Sequence, residues 1–230
     1  MSARGALSWA LGIAGMLCLT LGLALSGFEC VALNDAVYLS LTDQLQIYDQ
    51  VGVSREQTAN ALSDIRDYLS GERDGFNSRV EMFGQTQWMF NEREISHMRD
   101  VKRLFELERL IRRALLGAGA ALLIIFLIIC GEKSRRARVR GAAFFTLGVL
   151  ALLCAAAAWM LTSDFSGVFL RFHEALFSND LWLLDPRTDA MIRMLPQQFF
   201  EKIACWSLLA MGGCALIVPA AALIYGRKKL

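Results

Sequence analysis

Three prolines and two histidines are all that 230 residues contain of those two types. So little proline suits long helices, because a proline inside a helix removes a backbone donor and clashes with the turn before it. The two histidines, His97 and His173, lie far apart, so no His-x-x-x-His spacing of the zinc-peptidase kind is present. The six cysteines contain no Cys-x-x-Cys pair. Five of them (Cys18, Cys130, Cys154, Cys205 and Cys214) fall in or beside oily stretches, where cysteine behaves as a small hydrophobe. Only Cys30 reads as outward-facing, so no disulfide framework is expected, and Glu29 before it spoils a lipid-attachment site. A Gly-x-Ser-x-Gly elbow, a phosphate loop and a dinucleotide fingerprint are all missing. Their absence removes the commonest serine hydrolases and nucleotide enzymes.

Charge is also missing, in four long stretches: Ala6 to Phe28, Ala114 to Gly131, Gly141 to Ser163 and Ile203 to Gly226. A bilayer core of ~30 Å takes about 20 apolar helical residues, and within lipid a helix satisfies its own backbone. Four transmembrane helices follow. None carries an ionisable side chain near its centre, which argues against a pump or proton relay. Lys133, Arg135, Arg136, Arg138 and Arg140 fill the short segment after the second span, Arg4 precedes the first, and Arg227, Lys228 and Lys229 follow the last. By the positive-inside rule these segments are cytoplasmic. The opposite side receives residues 29–113 and 164–202, with 15 Lys and Arg against 21 Asp and Glu. The first span reads as an uncleaved anchor, because it is long for a signal peptide and "LSGFEC" offers no small-x-small cleavage site.

The expected fold is a mainly α membrane protein with four transmembrane helices and an extracytoplasmic cap that includes a few short strands. In order, residues 1–28 form the cytoplasmic amino terminus and first helix, and 29–90 form the cap. Residues 91–131 form one long helix running from the cap into the second span, and 132–140 a basic cytoplasmic loop. The third span is 141–163, the second extracytoplasmic loop 164–202, the fourth span 203–226 and the cytoplasmic carboxy terminus 227–230. Inside the cap, Ser54 and Gln57 make a capping box and Gly71 ends that helix. "SRVEMFGQTQWMF" suits a hairpin or short strands. Asn91 and Glu94 open the long helix, and Asp185 with Pro186 marks another helix start.

Both histidines fall on the outer side, His97 about five helical turns before the second span and His173 about three turns after the third. A lone histidine is more often structural than catalytic. Together, however, two imidazoles near a membrane surface, with carboxylates close by in sequence, suit proton transfer near pH 7. A carboxylate bonded to one ring nitrogen would leave the other free to act. His97 is taken as the base because Asp100 shares its helix face. The supporting candidates are Glu94, Asp100, Arg171, Glu174, Asp180 and Asp185. Trp88, Phe90, Phe169, Phe172, Phe177 and Trp182 suit an interfacial aromatic belt and equally a ring-lined pocket for lipid chains. No metal site is expected, and "HMRDVKRL" also suits a solvated charged face.

Two stretches carry a resemblance: "FNEREISHMRDVKRL" at 90–104 and "FHEALFSNDLWLLDPRTDAMIRMLPQQFF" at 172–200, with "IYDQVGVSREQTANALSDIRDYLSG" fitting more loosely. With the order of spans, cap and basic segment, they make nearly the whole chain resemble the lipoprotein intramolecular transacylase family of Gram-positive bacteria. The resemblance implies an acyltransferase in the bacterial cytoplasmic membrane. It would move the sn-2 acyl chain of a lipoprotein's diacylglyceryl group to the α-amino group of the N-terminal cysteine, giving lyso-form lipoprotein. It implies His97 and His173 as the catalytic pair and no cofactor. The expected partners are diacylated bacterial lipoproteins and membrane lipid, and no nucleic acid. Another lipid acyltransferase or hydrolase, and a non-catalytic membrane sensor, are the alternatives that the residues themselves leave open.

Overall fold

The computed structural model describes residues 3–82 and 84–227. Lys228 and Lys229 of the basic carboxy terminus, and Phe83 of the hairpin segment, lie outside the described residues. In chain order the elements are α1 (Ala3–Ala32), α2 (Asp35–Leu45), α3 (Ile47–Val51), α4 (Arg55–Ser70), β1 (Arg79–Met82), β2 (Gln85–Trp88) and α5 (Glu92–Ile129). There follow α6 (Glu132–Ser163), α7 (Phe165–Leu176), α8 (Ala190–Met194), α9 (Gln197–Ala215) and α10 (Ile217–Arg227). Helices α1, α5 and α6, and the run Gln197–Arg227, are long and apolar enough to cross a membrane. The mainly helical four-span architecture with a pair of short strands is therefore present.

Three local readings differ from the sequence expectation. Residues 132–140 are the opening turns of α6 and not a loop. Arg, Lys and Ala are good helix formers, and Glu132 complements the positive helix start. Residues 186–188 form a turn and not a helix. The Asp189 side chain takes the N–H of Asp185 at 2.7 Å while the Asp185 carbonyl takes that of Asp189 at 2.8 Å, which closes the chain on itself. Helix α8 then starts at Ala190. The fourth span is broken at Leu216, because Pro219 has no N–H for the carbonyl four residues back and its ring crowds that turn.

The chain divides into two compact units. One holds α1 up to Cys30, residues 108–159 and the chain from Ser207 onward. Here small residues let backbones approach: a methyl group on Gly119 would lie 2.8 Å from the Leu19 nitrogen, and one on Gly15 2.9 Å from Leu123. Glu29 pairs with Arg112 and, at 4.0 Å, with Arg109, and Arg112 also faces Glu108 at 3.4 Å. These four charges are largely covered, whereas Leu107, Leu110 and Ile111 are exposed. The exposed apolar face of α5 thus begins at Leu107. Arg112 and Arg113 precede the uncharged stretch from Ala114, and the charge of Arg112 is met within the protein.

The other unit, Val31–Leu107 with Met160–Trp206, has its own core. Helix α4 carries the expected capping box and ends at Gly71 with φ +91°, a left-handed conformation that glycine adopts without strain. Thr58, Leu62, Ile65 and Leu69 recur at helical spacing and are buried. Strands β1 and β2 pair antiparallel, Arg79 opposite Trp88 and Met82 opposite Gln85. Asn77 closes the hairpin base by donating to the Phe90 carbonyl at 2.8 Å and accepting the Phe90 N–H at 3.0 Å. Phe199 is buried against Tyr38, ring centroids 5.3 Å apart.

Candidate active site

The start of α5 is fixed by its own sequence. Asn91 Oδ1 accepts the N–H groups of Arg93 at 2.9 Å and Glu94 at 3.1 Å, and Glu94 Oε2 accepts the Asn91 N–H at 2.8 Å. These bonds satisfy donors that a helix start leaves without partners. Glu94 then reaches beyond its own helix: Oε1 accepts the Met191 N–H in α8 at 2.6 Å. Asn91 Nδ2 donates to Asp189 Oδ1 at 2.8 Å. Burial raises the Glu94 carboxyl above the usual range, while the N–H groups of Asn91 and Met191 oppose that shift. Glu94 is thus spent on joining α5 to α8.

One turn later on α5, His97 faces His173 of α7, with ring centroids 6.1 Å apart. Both are buried. His173 Nδ1 lies 2.7 Å from the Phe169 carbonyl. A carbonyl only accepts, so that nitrogen carries the proton and Nε2 is left with a free lone pair. The Nδ1 of His97 has no hydrogen-bond partner among the described residues. Rings surround the pair. Around His173 stand Phe169 at 4.3 Å, Trp182 at 5.1 Å, Phe172 at 5.4 Å and Phe177 at 5.6 Å, and Phe177 meets His97 edge-on at 5.2 Å. Burial, followed by the neighbouring His173, lowers His97 to about 4, with Asp100 pulling the other way. Burial also lowers His173, against the Phe169 carbonyl that favours its charged form. Both imidazoles are neutral near pH 7.

Asp100 does not serve as the carboxylate partner of a ring. Its oxygens accept Arg103 at 2.9 Å and Asn179 Nδ2 at 2.9 Å. Asn179 is the knot of the loop after α7: its Oδ1 accepts the Leu181 N–H at 3.1 Å and its carbonyl accepts the Trp182 indole N–H at 2.8 Å. Trp182 packs against His173, ring centroids 5.1 Å apart and planes tilted by 32°. A continuous set of contacts therefore runs from Asp100, one turn past His97, through Asn179 and Trp182 to the other histidine. Arg93 adds a second tie to the same loop, donating to the Asp180 carbonyl and pairing with its carboxylate at 3.5 Å.

Of the other sequence candidates, Phe169, Phe172, Phe177 and Trp182 reach the site and the rest do not. Phe90 lies in the core against Phe76, ring centroids 5.3 Å apart. Trp88 is exposed on β2 beneath Arg79. Asp185 is held by Arg187, which keeps its carboxyl at about 2. Arg171 and Glu174 are exposed, Arg171 facing Asp164 at 4.0 Å. The sequence reading missed Asn179, whose signal was a Ser-Asn-Asp run suited to a side-chain-closed turn. It also missed Phe200, which backs Phe169 at 5.3 Å; nothing local marked a residue brought in from another helix.

The family model described as "Lipoprotein intramolecular transacylase Lit" matches residues 13–200. The chain belongs to this family. Membership of the lipoprotein intramolecular transacylases makes it an acyltransferase, and its four apolar helices place it in a membrane. Among solved structures it is similar to the membrane integral lipoprotein intramolecular transacylase Lit from Bacillus cereus, with TM-score 0.77, 22% identity and 96% of each chain covered. It is also similar to that protein with a histidine replaced by arginine, with TM-score 0.72, 21% identity, and 97% of this chain and 93% of the other covered. These likenesses concern the fold. No curated protein matches.

Proposed function

We propose that this transacylase moves the acyl chain from the middle glyceryl oxygen of a diacylated lipoprotein to the α-amino group of the same N-terminal cysteine, with His173 as base and His97 as its partner. The observation that carries the assignment is the hydrogen bond of His173 Nδ1 to the Phe169 carbonyl. It orients the ring and presents a basic Nε2. The choice of His97 as base rested on Asp100, which is engaged elsewhere.

The neutral cysteine amine attacks the ester carbonyl and passes its proton to His173 Nε2. Collapse of the tetrahedral adduct breaks the bond to the glyceryl oxygen, which takes that proton back from His173. An amide and a free glyceryl hydroxyl result, and both histidines end as they began. Neutral His97 supplies an N–H to the developing oxyanion, a role that a lowered basicity suits. The attacking nitrogen and the carbonyl carbon close an eight-membered ring. A ring-lined pocket that folds the substrate removes an entropic obstacle worth up to ~7–11 kcal/mol. Leu170, Leu176 and Leu183 are exposed in the same unit, as a site fed from lipid requires. The Lys and Arg of residues 132–140 and of the two chain ends support a topology with both termini in the cytoplasm and the histidines on the outer side.

Mass spectrometry of lipoprotein N-termini tests the reading. His97→Ala and His173→Ala each lower lyso-form production ~10²–10⁴-fold while membrane insertion persists. The double variant is little worse than either single one, since groups acting as a unit are not additive. In a mixture of acyl-labelled and unlabelled lipoproteins each label stays on its own molecule. Scrambled label would replace this mechanism with an acyl-histidine that serves many substrates.

A further inference from the structure

A cavity of about 1320 Å³ in the unit that carries the histidines touches neither of them. Along α5 it is lined by Ile95 and Arg99, each about 200° around the helix from His97 at 3.6 residues per turn, and at the helix start by Asn91, Glu92 and Glu94. That volume exceeds the ~300–1,000 Å³ of small-ligand pockets, which points to a longer occupant.

Two independent features describe that occupant. The first is charge. Arg73, Arg99, Arg187 and Arg193 line the groove, against Asp74, Glu92 and the buried, hydrogen-bonded Glu94. Arg73 pairs with Asp64, Arg187 with Asp185 at 2.5 Å, and Arg193 Nε donates to the Asp189 carbonyl at 3.3 Å. Arg99 is exposed and meets no carboxylate among the described residues. The second is backbone. All four residues of β2 are exposed, and β2 pairs only with β1 in a two-stranded sheet, so its far edge is open among the described residues. Gln87 and Trp88 of β2, with Met89 just after it, line the groove. An open edge accepts an extended peptide as a further strand.

We propose that the groove holds the extended, carboxylate-bearing polypeptide segment that follows the lipidated cysteine of the substrate, laid along β2 with its acidic side chains toward Arg99 and Arg193. The proposal rests on the lipoprotein reading above. A helix with its side chains is ~10–12 Å across and an extended chain advances ~3.3–3.6 Å per residue. Half the way around such a helix is ~16–19 Å, so about five residues carry the chain from the histidine face of α5 to the groove face.

The test uses the full-length protein and a diacylated lipoprotein carrying a photo-crosslinking residue at the fifth to eighth position after the cysteine. Adducts are expected on residues 87–89 or on the 91–99 face of α5; adducts confined to other surfaces overturn the proposal. In parallel, kcat/KM is compared for two substrates that differ only in Asp-to-Asn changes at those positions. The acidic form is preferred by up to about fivefold per carboxylate, and Arg99→Glu reverses the preference. Equal rates in the native protein, or a preference that Arg99→Glu leaves intact, also overturn it. Crosslinking does not need turnover. Adducts in the groove without lyso-form product would sink the acyl-transfer reading alone, and product without groove adducts would sink the groove alone.

Discussion

Asn179 makes its case through reversible chemistry. Its amide donates to Asp100 and its carbonyl holds the Trp182 indole against His173. Asn179→Asp would set two carboxylates face to face, and one shared proton would restore the bond. Relative to the native protein at each pH, this variant should be least active at neutral pH and recover as pH falls. The exchange Asp100→Asn with Asn179→Asp, which reverses donor and acceptor, should restore most activity without that pH dependence. A profile parallel to the native one in the single variant would leave Asn179 no positioning role. The histidines were legible in the sequence because only two exist. The partner that sets a ring's tautomer was not, since it is a backbone carbonyl one turn away and the sequence pointed to a carboxylate.

Among the elements, the union of α5 with α8 depends on one buried acid. Glu94→Ala leaves the N–H of Met191 without its acceptor and opens a void beside a buried turn. An unsatisfied buried donor costs about 1–3 kcal/mol, which thermal unfolding in detergent would register as a lowered midpoint. Glu94→Gln keeps an acceptor for one N–H but turns an amide donor toward the other, so it should recover only part of the loss. Equal midpoints for all three proteins would show that α8 is held by its apolar contacts alone. Sequence patterns located α4 and the long α5 well, because their caps and periodicity are local. They misread 186–188, where Asp-Pro imitates a helix start and only the return of the Asp189 side chain decides for a turn.

For the whole molecule, the distribution of Lys and Arg predicts which side each end of a span faces. A cysteine introduced between residues 132 and 140 should resist a membrane-impermeant thiol reagent applied to intact cells, and one introduced at Asp49 should react. The reverse pattern would refute the orientation. Four spans were readable because lipid demands about 20 uncharged residues at a stretch. The start of the second was less so: Arg112 and Arg113 look like a boundary in sequence, but Glu29 answers Arg112 from a helix some eighty residues earlier.

The wall of Phe169, Phe172, Phe177 and Trp182 around His173 also decides between competing nucleophiles. A general base can activate water against the ester as well as the amine, so a base as exposed as an ordinary surface histidine would release fatty acid. Phe172, 52% exposed, is the outermost of these rings. Phe172→Ala should therefore change what the enzyme makes more than how fast it works, with free fatty acid and a de-acylated lipoprotein bearing an unmodified amine appearing beside the lyso-form. If the ratio of amide to fatty acid stays as in the native protein, the discrimination lies in the proximity of the amine, and the rings serve only to hold the chain.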